Sequence, residues 1–187
     1  TKEYIREGDI FQAVISRQFT SPYEGSLLNA YRVLRTTNPS PYMVYMHIDG
    51  EEIMSTSPET LVRLQDGRLT TFPVAGSRPR GKDEAEDEAL VKDLLGDEKE
   101  LSEHNMLVDL GRNDLGRIAE FGTVDVTKYM MIHKYSKIMH ICSQVEADIR
   151  SDADALDAVK SVLPAGTLSG APKIRACEII DELESEP

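Results

Sequence analysis

Cysteine, positive charge and long apolar runs are what this sequence has least of, and each shortage removes a class of protein. Its only cysteines, Cys142 and Cys177, stand 35 positions apart with no CxxC pair and no secretory signal. That pattern reads as two free thiols in a reducing compartment, hence a cytoplasmic protein, with a structural disulfide as the alternative. Lys and Arg number 21 against 33 Asp and Glu, a formal net charge of −12. A phosphate backbone requires a basic face, so nucleic acid is a poor partner. No apolar run approaches the roughly 18 residues of a membrane span, and there is neither an internal repeat nor a low-complexity tract. What remains, 187 residues of which 40% are hydrophobic and 29% charged, is the make-up of an ordinary globular protein with one large domain or two small ones.

Phe11, Ala13, Ile15 and Phe19 alternate with polar residues, which predicts a strand broken at Ser21-Pro22-Tyr23-Glu24-Gly25. Leu27, Leu28, Tyr31 and Leu34 have helical spacing, and Asn38-Pro39-Ser40-Pro41 stops that helix. Tyr42 to Ile48 faces Glu52 to Met54 across Asp49-Gly50, and Leu61 to Leu64 faces Leu69 to Phe72 across Gln65 to Arg68. Both read as antiparallel hairpins. Pro73 to Lys82 reads as a loop. Asp83 to Glu103 carries ten acidic residues against two lysines, the composition of a solvated helical face, with helices at Glu86 to Leu95 and Glu98 to Leu110 broken at Gly96-Asp97. The second helix ends within Gly111 to Gly116. Val124 and Val126 suggest a short strand, Lys137 to Ala147 a clearer one, and Ala153 to Val162 a helix. Pro164 to Gly170 reads as a loop, with Pro172 as a first-turn proline of the closing helix. Hairpins followed by helices predict an α+β fold with largely antiparallel sheets and helices packed outside. The sequence stops just after a helix without a closing strand, so a piece of a longer protein is expected.

Few residues suggest chemistry by spacing alone. Glu100 and Glu103 lie three apart on a helix, with His104 beside them, and two such carboxylates suit a hard cation such as Mg2+; a solvated helix face is the plainer alternative. His140, mid-strand between apolar neighbours, is either a packed histidine or an acid/base group. Gly166 to Lys173 sets a glycine loop at a helix N-terminus, where free N–H groups favour an anion. It lacks the spacing of a nucleotide phosphate loop, and an N-cap turn using Ser169 or Gly170 is the alternative. Glu59 follows a proline-fixed bend that could present a carboxylic acid to a cleft or simply to solvent. Ala75 to Gly81 could bring backbone close to a ligand or form a surface loop.

Six segments in fixed order say more than any one of them: Gly8-Asp9-Ile10-Phe11-Gln12, Asn38-Pro39-Ser40-Pro41-Tyr42-Met43, Ser57-Pro58-Glu59, the run Pro73 to Gly81, the run Glu103 to Asp114, and the run Pro164 to Lys173. Across nearly its whole length the chain resembles the anthranilate synthase component I family of chorismate-utilising enzymes. The resemblance implies that family's α+β fold and Mg2+-dependent amination of chorismate, loss of the C4 hydroxyl and elimination of pyruvate. It implies Glu103 as a direct metal ligand and Glu100 acting through water. Glu59 matches the acid for the departing hydroxyl, His140 the histidine of the elimination, and Thr167 a pocket residue. Gly76 and Ser77 would offer backbone and hydroxyl contacts, in a substrate-binding set with Gln12, Ala75, Ser169 and Gly170. Relatives that add water carry a lysine where this chain has Gln12, and those forming aminodeoxychorismate carry one at Ala75. Neither lysine is present, which leaves ammonia, delivered by a glutamine amidotransferase subunit, as the nucleophile. Pro41, Tyr42 and Met43 match part of a tryptophan feedback site.

Family members continue with a glycine-rich strand, a substrate-binding arginine and a second glutamate cluster, and they begin with a segment that completes the tryptophan pocket. The expectation is therefore a partial chorismate-binding domain over 1–187, with half an active site and no activity alone. The alternatives are an aminodeoxychorismate synthase component I or a non-catalytic module that binds chorismate or a partner.

Overall fold

Two Asp-Gly dipeptides decide where the chain doubles back. Paired residues at positive φ close a two-residue hairpin whose twist suits the flanking strands, and the computed structural model, which describes residues 1–184, has φ of 52° and 86° at Asp49 and Gly50 and 51° and 78° at Asp66 and Gly67. In chain order the elements are α1 (Lys2–Glu7), β1 (Gln12–Ala13), α2 (Leu27–Thr37), β2 (Tyr42–Ile48), β3 (Glu51–Ser57), β4 (Arg63–Gln65), β5 (Arg68–Thr71), β6 (Val74–Pro79), α3 (Glu84–Gly96) and α4 (Glu98–Gly116). They continue with β7 (Asp125–Lys134), β8 (Ile138–Asp148), α5 (Ala155–Val162), α6 (Gly166–Ser169), β9 (Gly170–Ala171) and α7 (Lys173–Leu183). Every strand pair is antiparallel, so the α+β expectation holds. The chain forms two compact units, one of Ser16–Thr60 and one of the remaining residues.

The smaller unit is the β2–β3 hairpin with α2 packed on it. Ser26 caps α2, its hydroxyl accepting from the Leu28 amide at 3.1 Å and donating to Glu52 at 3.0 Å, which ties the helix start to β3. Tyr31 on the helix meets Tyr45 on β2 with ring centroids 6.0 Å apart.

In the larger unit β8 is the spine of a five-stranded sheet. One of its edges carries β7; the other carries β5 along Val145 to Asp148 and β6 along Ile138 to Cys142. Side chains alternate across a strand, and Met139, Ile141, Ser143, Val145 and Ala147 are all buried on the same face. Val145 and Ala147 meet Val108 and Leu115 of α4, while Met139 and Ile141 meet Leu94 of α3 and Leu101 of α4. The two acidic helices therefore lie on this face with their apolar stripes inward.

Several expectations need correction. The alternation from Phe11 to Phe19 yields only the two residues of β1, paired with β9, because no neighbouring strand continues past Val14; Phe11 and Phe19 stay 73% and 86% exposed. The stretch 74–79, read as loop, is β6. It finds backbone partners on β8, and its proline is tolerated at the end of an edge strand. The short strand at Val124 and Val126 is the ten-residue β7, whose period of two is hidden by two register shifts, one of them beside Met130 at φ 51°. Helix α4 runs through Gly111 to Gly116, and Gly111 sits so close to the sheet that a Cβ there would lie 3.0 Å from Thr71 Cγ2. The loop before α7 contains a helical turn and a strand, and Pro172 is the N-cap of α7 rather than a residue of its first turn. Cys142 is buried in β8 and Cys177 half-buried in α7, both as free thiols.

Candidate active site

Helix α4 delivers the candidate metal carboxylates, and its start is fixed from two sides. Asp97 caps it, accepting from the Lys99 and Glu100 amides at 3.1 and 3.3 Å, and the same carboxylate takes the Arg78 guanidinium of β6 at 2.9 Å. That guanidinium, with the capped amides, holds the Asp97 carboxyl below its ordinary value. One turn on, Glu100 is half-buried and Glu103 exposed.

Opposite α4, β6 bulges at Gly76. The pairing steps from Ala75–Ile141 to Ser77–His140, leaving Gly76 extra, with φ 83°. A Cβ there would lie 2.9 Å from Ile141 Cδ1 and 3.4 Å from Glu100 Oε2, so only glycine suits both the backbone and the space. The structure thus places Gly76 against Glu100. The run read as a loop that could bring backbone close to a ligand is a strand here, and its close approach at Gly76 is to Ile141 and Glu100. Ser77, the next residue, is exposed.

Glu103 faces a cleft of about 690 Å3 that it shares with Gln12, Met106, Asn113 and Ala171. Gln12 reaches it from β1, which pairs with Ala171 and Gly170 of β9. Gly170, at φ 145°, would place a Cβ 2.2 Å from the Gln12 carbonyl. Thr167 is half-buried in the turn α6, and Ser169 is buried with its hydroxyl donating to the Ala165 carbonyl at 2.9 Å. Neither Ser169 nor Gly170 caps the closing helix, which makes no side-chain cap bond at Pro172; the N-cap alternative is overturned because 170–171 is drawn into a strand.

His140 leaves β8 on the face opposite Met139 and Ile141, half-buried, edge-on to the Tyr135 ring at 5.8 Å. It is therefore neither a fully packed core histidine nor a neighbour of α4. Glu59, Pro41, Tyr42 and Met43 all belong to the smaller unit. Glu59 is exposed just after β3, and the Tyr42 hydroxyl bonds Thr60 at 2.7 Å.

Among the buried polar groups, His104 and Lys173 have partners that the sequence reading did not give. His104, with no accessible surface, contacts the Ala75 carbonyl through Nδ1 at 3.2 Å and the Ser143 hydroxyl through Nε2 at 2.7 Å. Burial pushes its pKa down, against the opposing bond to the Ala75 carbonyl. Lys173 sends its ammonium inward to both oxygens of Asp114 at 2.7 and 2.8 Å and to the Val162 carbonyl at 2.8 Å. Burial raises the Asp114 pKa and Lys173 opposes that shift. A cation therefore sits in the first turn of α7, where an anion had been considered. Neither group had a sequence signal, since each is defined by a partner at least 29 residues away.

Two hard-oxygen side chains on one helical turn fit Mg2+, which takes one or two protein carboxylates and completes its shell with water and substrate. Among the described residues no group of three or more His, Cys, Asp or Glu is arranged to hold a metal, so Glu100 and Glu103 are the candidate set.

The larger unit is thus an antiparallel α+β domain with a carboxylate-bearing helix laid over a bulged strand. The chain matches the family described as chorismate binding enzyme over residues 1–187, and it belongs to that family. It is 55% identical to anthranilate synthase component 1 of Acetivibrio thermocellus, over 98% of this chain and 37% of that protein. It is likewise 55% identical to the component 1 of Methanothermobacter marburgensis, over 100% of this chain and 40% of that one. The crystal structure of anthranilate synthase component I from Streptococcus pneumoniae TIGR4 superposes with a TM-score of 0.86 at 48% identity, covering 99% of this chain and 40% of that chain. The chain is thus a homologue of anthranilate synthase component I that spans about two fifths of the length of the curated relatives it matches.

Proposed function

We propose that this chain is the part of an anthranilate synthase component I that carries one half of the chorismate site. The observation that supports this best is the 55% identity to anthranilate synthase component 1 along 98% of the chain. In this reading Glu103 would hold Mg2+ and Glu100 would act on it through water, and the ion would supply local positive charge for a dianionic substrate in a protein of net charge −12. Gln12 and Ala75 offer an amide and a methyl, which neither activate water nor attack the ring, so ammonia from a glutamine amidotransferase subunit adds at C2. Gly76 keeps the backbone close to Glu100, and Thr167 lines the pocket.

Glu59 donates the proton that lets the C4 hydroxyl leave as water. A carboxyl must be held protonated for that task, and Glu59 is exposed in this structure. His140 serves the elimination of pyruvate that leaves anthranilate. Pro41, Tyr42 and Met43 form part of a tryptophan feedback site, the protein works in the cytoplasm, and the 187-residue chain alone is inactive.

The test is fluorescence detection of anthranilate when chorismate, ammonium and Mg2+ are mixed with the protein encoded by the complete reading frame around this chain. Anthranilate is expected, and Mg2+ omission or Glu103→Gln is expected to abolish it. Aminodeoxychorismate in its place would refute the argument from Ala75, and turnover by the 187-residue chain alone would refute the half-site reading.

A further inference from the structure

His104 joins four elements through a single run of hydrogen bonds. A carbonyl oxygen only accepts, so the contact with Ala75 places a proton on Nδ1. Nε2, 2.7 Å from the Ser143 oxygen, is the acceptor in reach of the Ser143 hydroxyl proton. The Ser143 oxygen in turn accepts from the Met130 amide at 3.0 Å. The order of donation is β7 to β8 to α4 to β6, and both ends are irregular backbone: Met130 at φ 51°, beside a register shift in β7, and Ala75 next to the Gly76 bulge. No buried side-chain polar atom among the described residues lacks a partner, those of His104 and Ser143 included.

We propose that His104 is a positioning residue: through its bond to the Ala75 carbonyl it sets the spacing between the carboxylate face of α4 and the bulged strand, and so fixes Glu100 and Glu103 for the metal. It touches neither substrate nor ion. It follows Glu103 directly in sequence but points the other way, into the sheet, and its Ala75 bond is one residue from the glycine that abuts Glu100. The inference rests on the assignment of Glu100 and Glu103 as the metal-binding pair.

The test uses the protein from the complete reading frame, with Mn2+ as probe, its binding followed by electron paramagnetic resonance in the presence of chorismate and the absence of any ammonia source, so that no turnover occurs. An asparagine amide reaches the place of Nδ1 and can still donate to Ala75; a glutamine amide reaches the place of Nε2 and keeps only the Ser143 contact. His104→Asn is expected to bind Mn2+ as wild type does, and His104→Gln about tenfold more weakly, the range in which loss of an outer-shell support falls. A packing role alone would weaken both variants alike, and that result overturns the proposal, as does a His104→Gln protein with wild-type affinity. Nitrogen-15 correlation spectra of the wild type provide a readout that does not depend on any variant folding: a proton on Nδ1 is expected, and one on Nε2 overturns the proposal. A wild-type protein that takes up no Mn2+ while showing the Nδ1 proton would refute the metal assignment itself, and the inference with it.

Discussion

Replacing Lys173 with methionine removes the ammonium and leaves the Asp114 carboxylate buried with nothing to balance it. Lys173 and Asp114 side chains keep only 4% and 12% of their surface accessible, and all three lysine N–H bonds are used within 2.7 to 2.8 Å. Breaking one side of such a pair costs about 3–5 kcal/mol, whereas replacing both partners by apolar groups is often neutral. At about 2–4 °C per kcal/mol for a protein of 150–250 residues, Lys173→Met should lower the melting temperature by about 6–20 °C. The double variant Asp114→Leu/Lys173→Met should recover most of that loss. The pH dependence has a definite sign. Burial already raises the Asp114 pKa and Lys173 lowers it, so removing the lysine raises it further. A carboxyl whose folded pKa exceeds its unfolded one adds stability below the unfolded value and loses it as pH rises through the folded value. The deficit of Lys173→Met should therefore shrink as the solution is acidified below neutrality. Calorimetric scans of wild type, single and double variants at several pH values measure all of this. A single variant within 1 °C of wild type, or a double variant no better than the single, would refute the account of a balanced buried pair.

Gly170→Ala should separate β1 from β9, since its Cβ would stand 2.2 Å from the Gln12 carbonyl; loss of amide protection at Phe11 and Val14 in hydrogen exchange is the check. Gly76→Ala adds strain of about 1–3 kcal/mol at a positive φ and crowds Ile141 and Glu100, so both melting temperature and Mn2+ affinity should fall. Asp97→Asn should weaken the tie to Arg78. The arginine, aided by the capped amides, depresses the Asp97 pKa, so wild type keeps that stability above the ordinary aspartate value of 3.8 and loses it as pH falls through the folded value. The variant's melting temperature should accordingly be lower at neutral pH and converge on wild type in acid.

What was legible in the sequence is what short-range rules decide. Asp49-Gly50 announces its hairpin because two adjacent residues suffice to set the turn, and the connection read over Gln65 to Arg68 tightens to Asp66-Gly67 because Gln65 pairs with Arg68. The α3–α4 break at Asp97 is equally local, a side chain capping amides two and three residues on. Failures occur where a distant partner decides. The stretch 74–79 carries Gly, Pro and Arg and has no strand signature of its own; it becomes β6 because β8 offers an open edge along Ile138 to Cys142. In β7 the converse holds, where bulges forced by register with β8 erase an alternation that a straight ten-residue strand would show. Phe11 to Phe19 alternates well and still forms little strand, since alternation creates a face but not a partner for the backbone.

The site divides along the same line. Glu100 and Glu103 could be paired from sequence because one helical turn brings them to one face, and the run Ala75 to Gly81 could be noted because glycine permits close backbone approach, with Gly76 itself named only by the family resemblance. That the approach is to Glu100 depends on the chain between residues 76 and 100, and on the hydrogen bond from His104 to Ala75 that holds the helix to the strand. Sequence motifs report residues that a reaction needs; they are silent on the groups that fix distances between those residues. His104 stands next to Glu103 within the most recognisable run of the chain, yet its orientation into the sheet makes it a structural partner of Ser143, 39 residues on. On the proposal made above, these carboxylates are placed by a histidine that donates from Nδ1 to Ala75 as well as by their own helix. A variant that preserves every motif carboxylate but moves that proton from Nδ1 to Nε2 should lose metal affinity all the same.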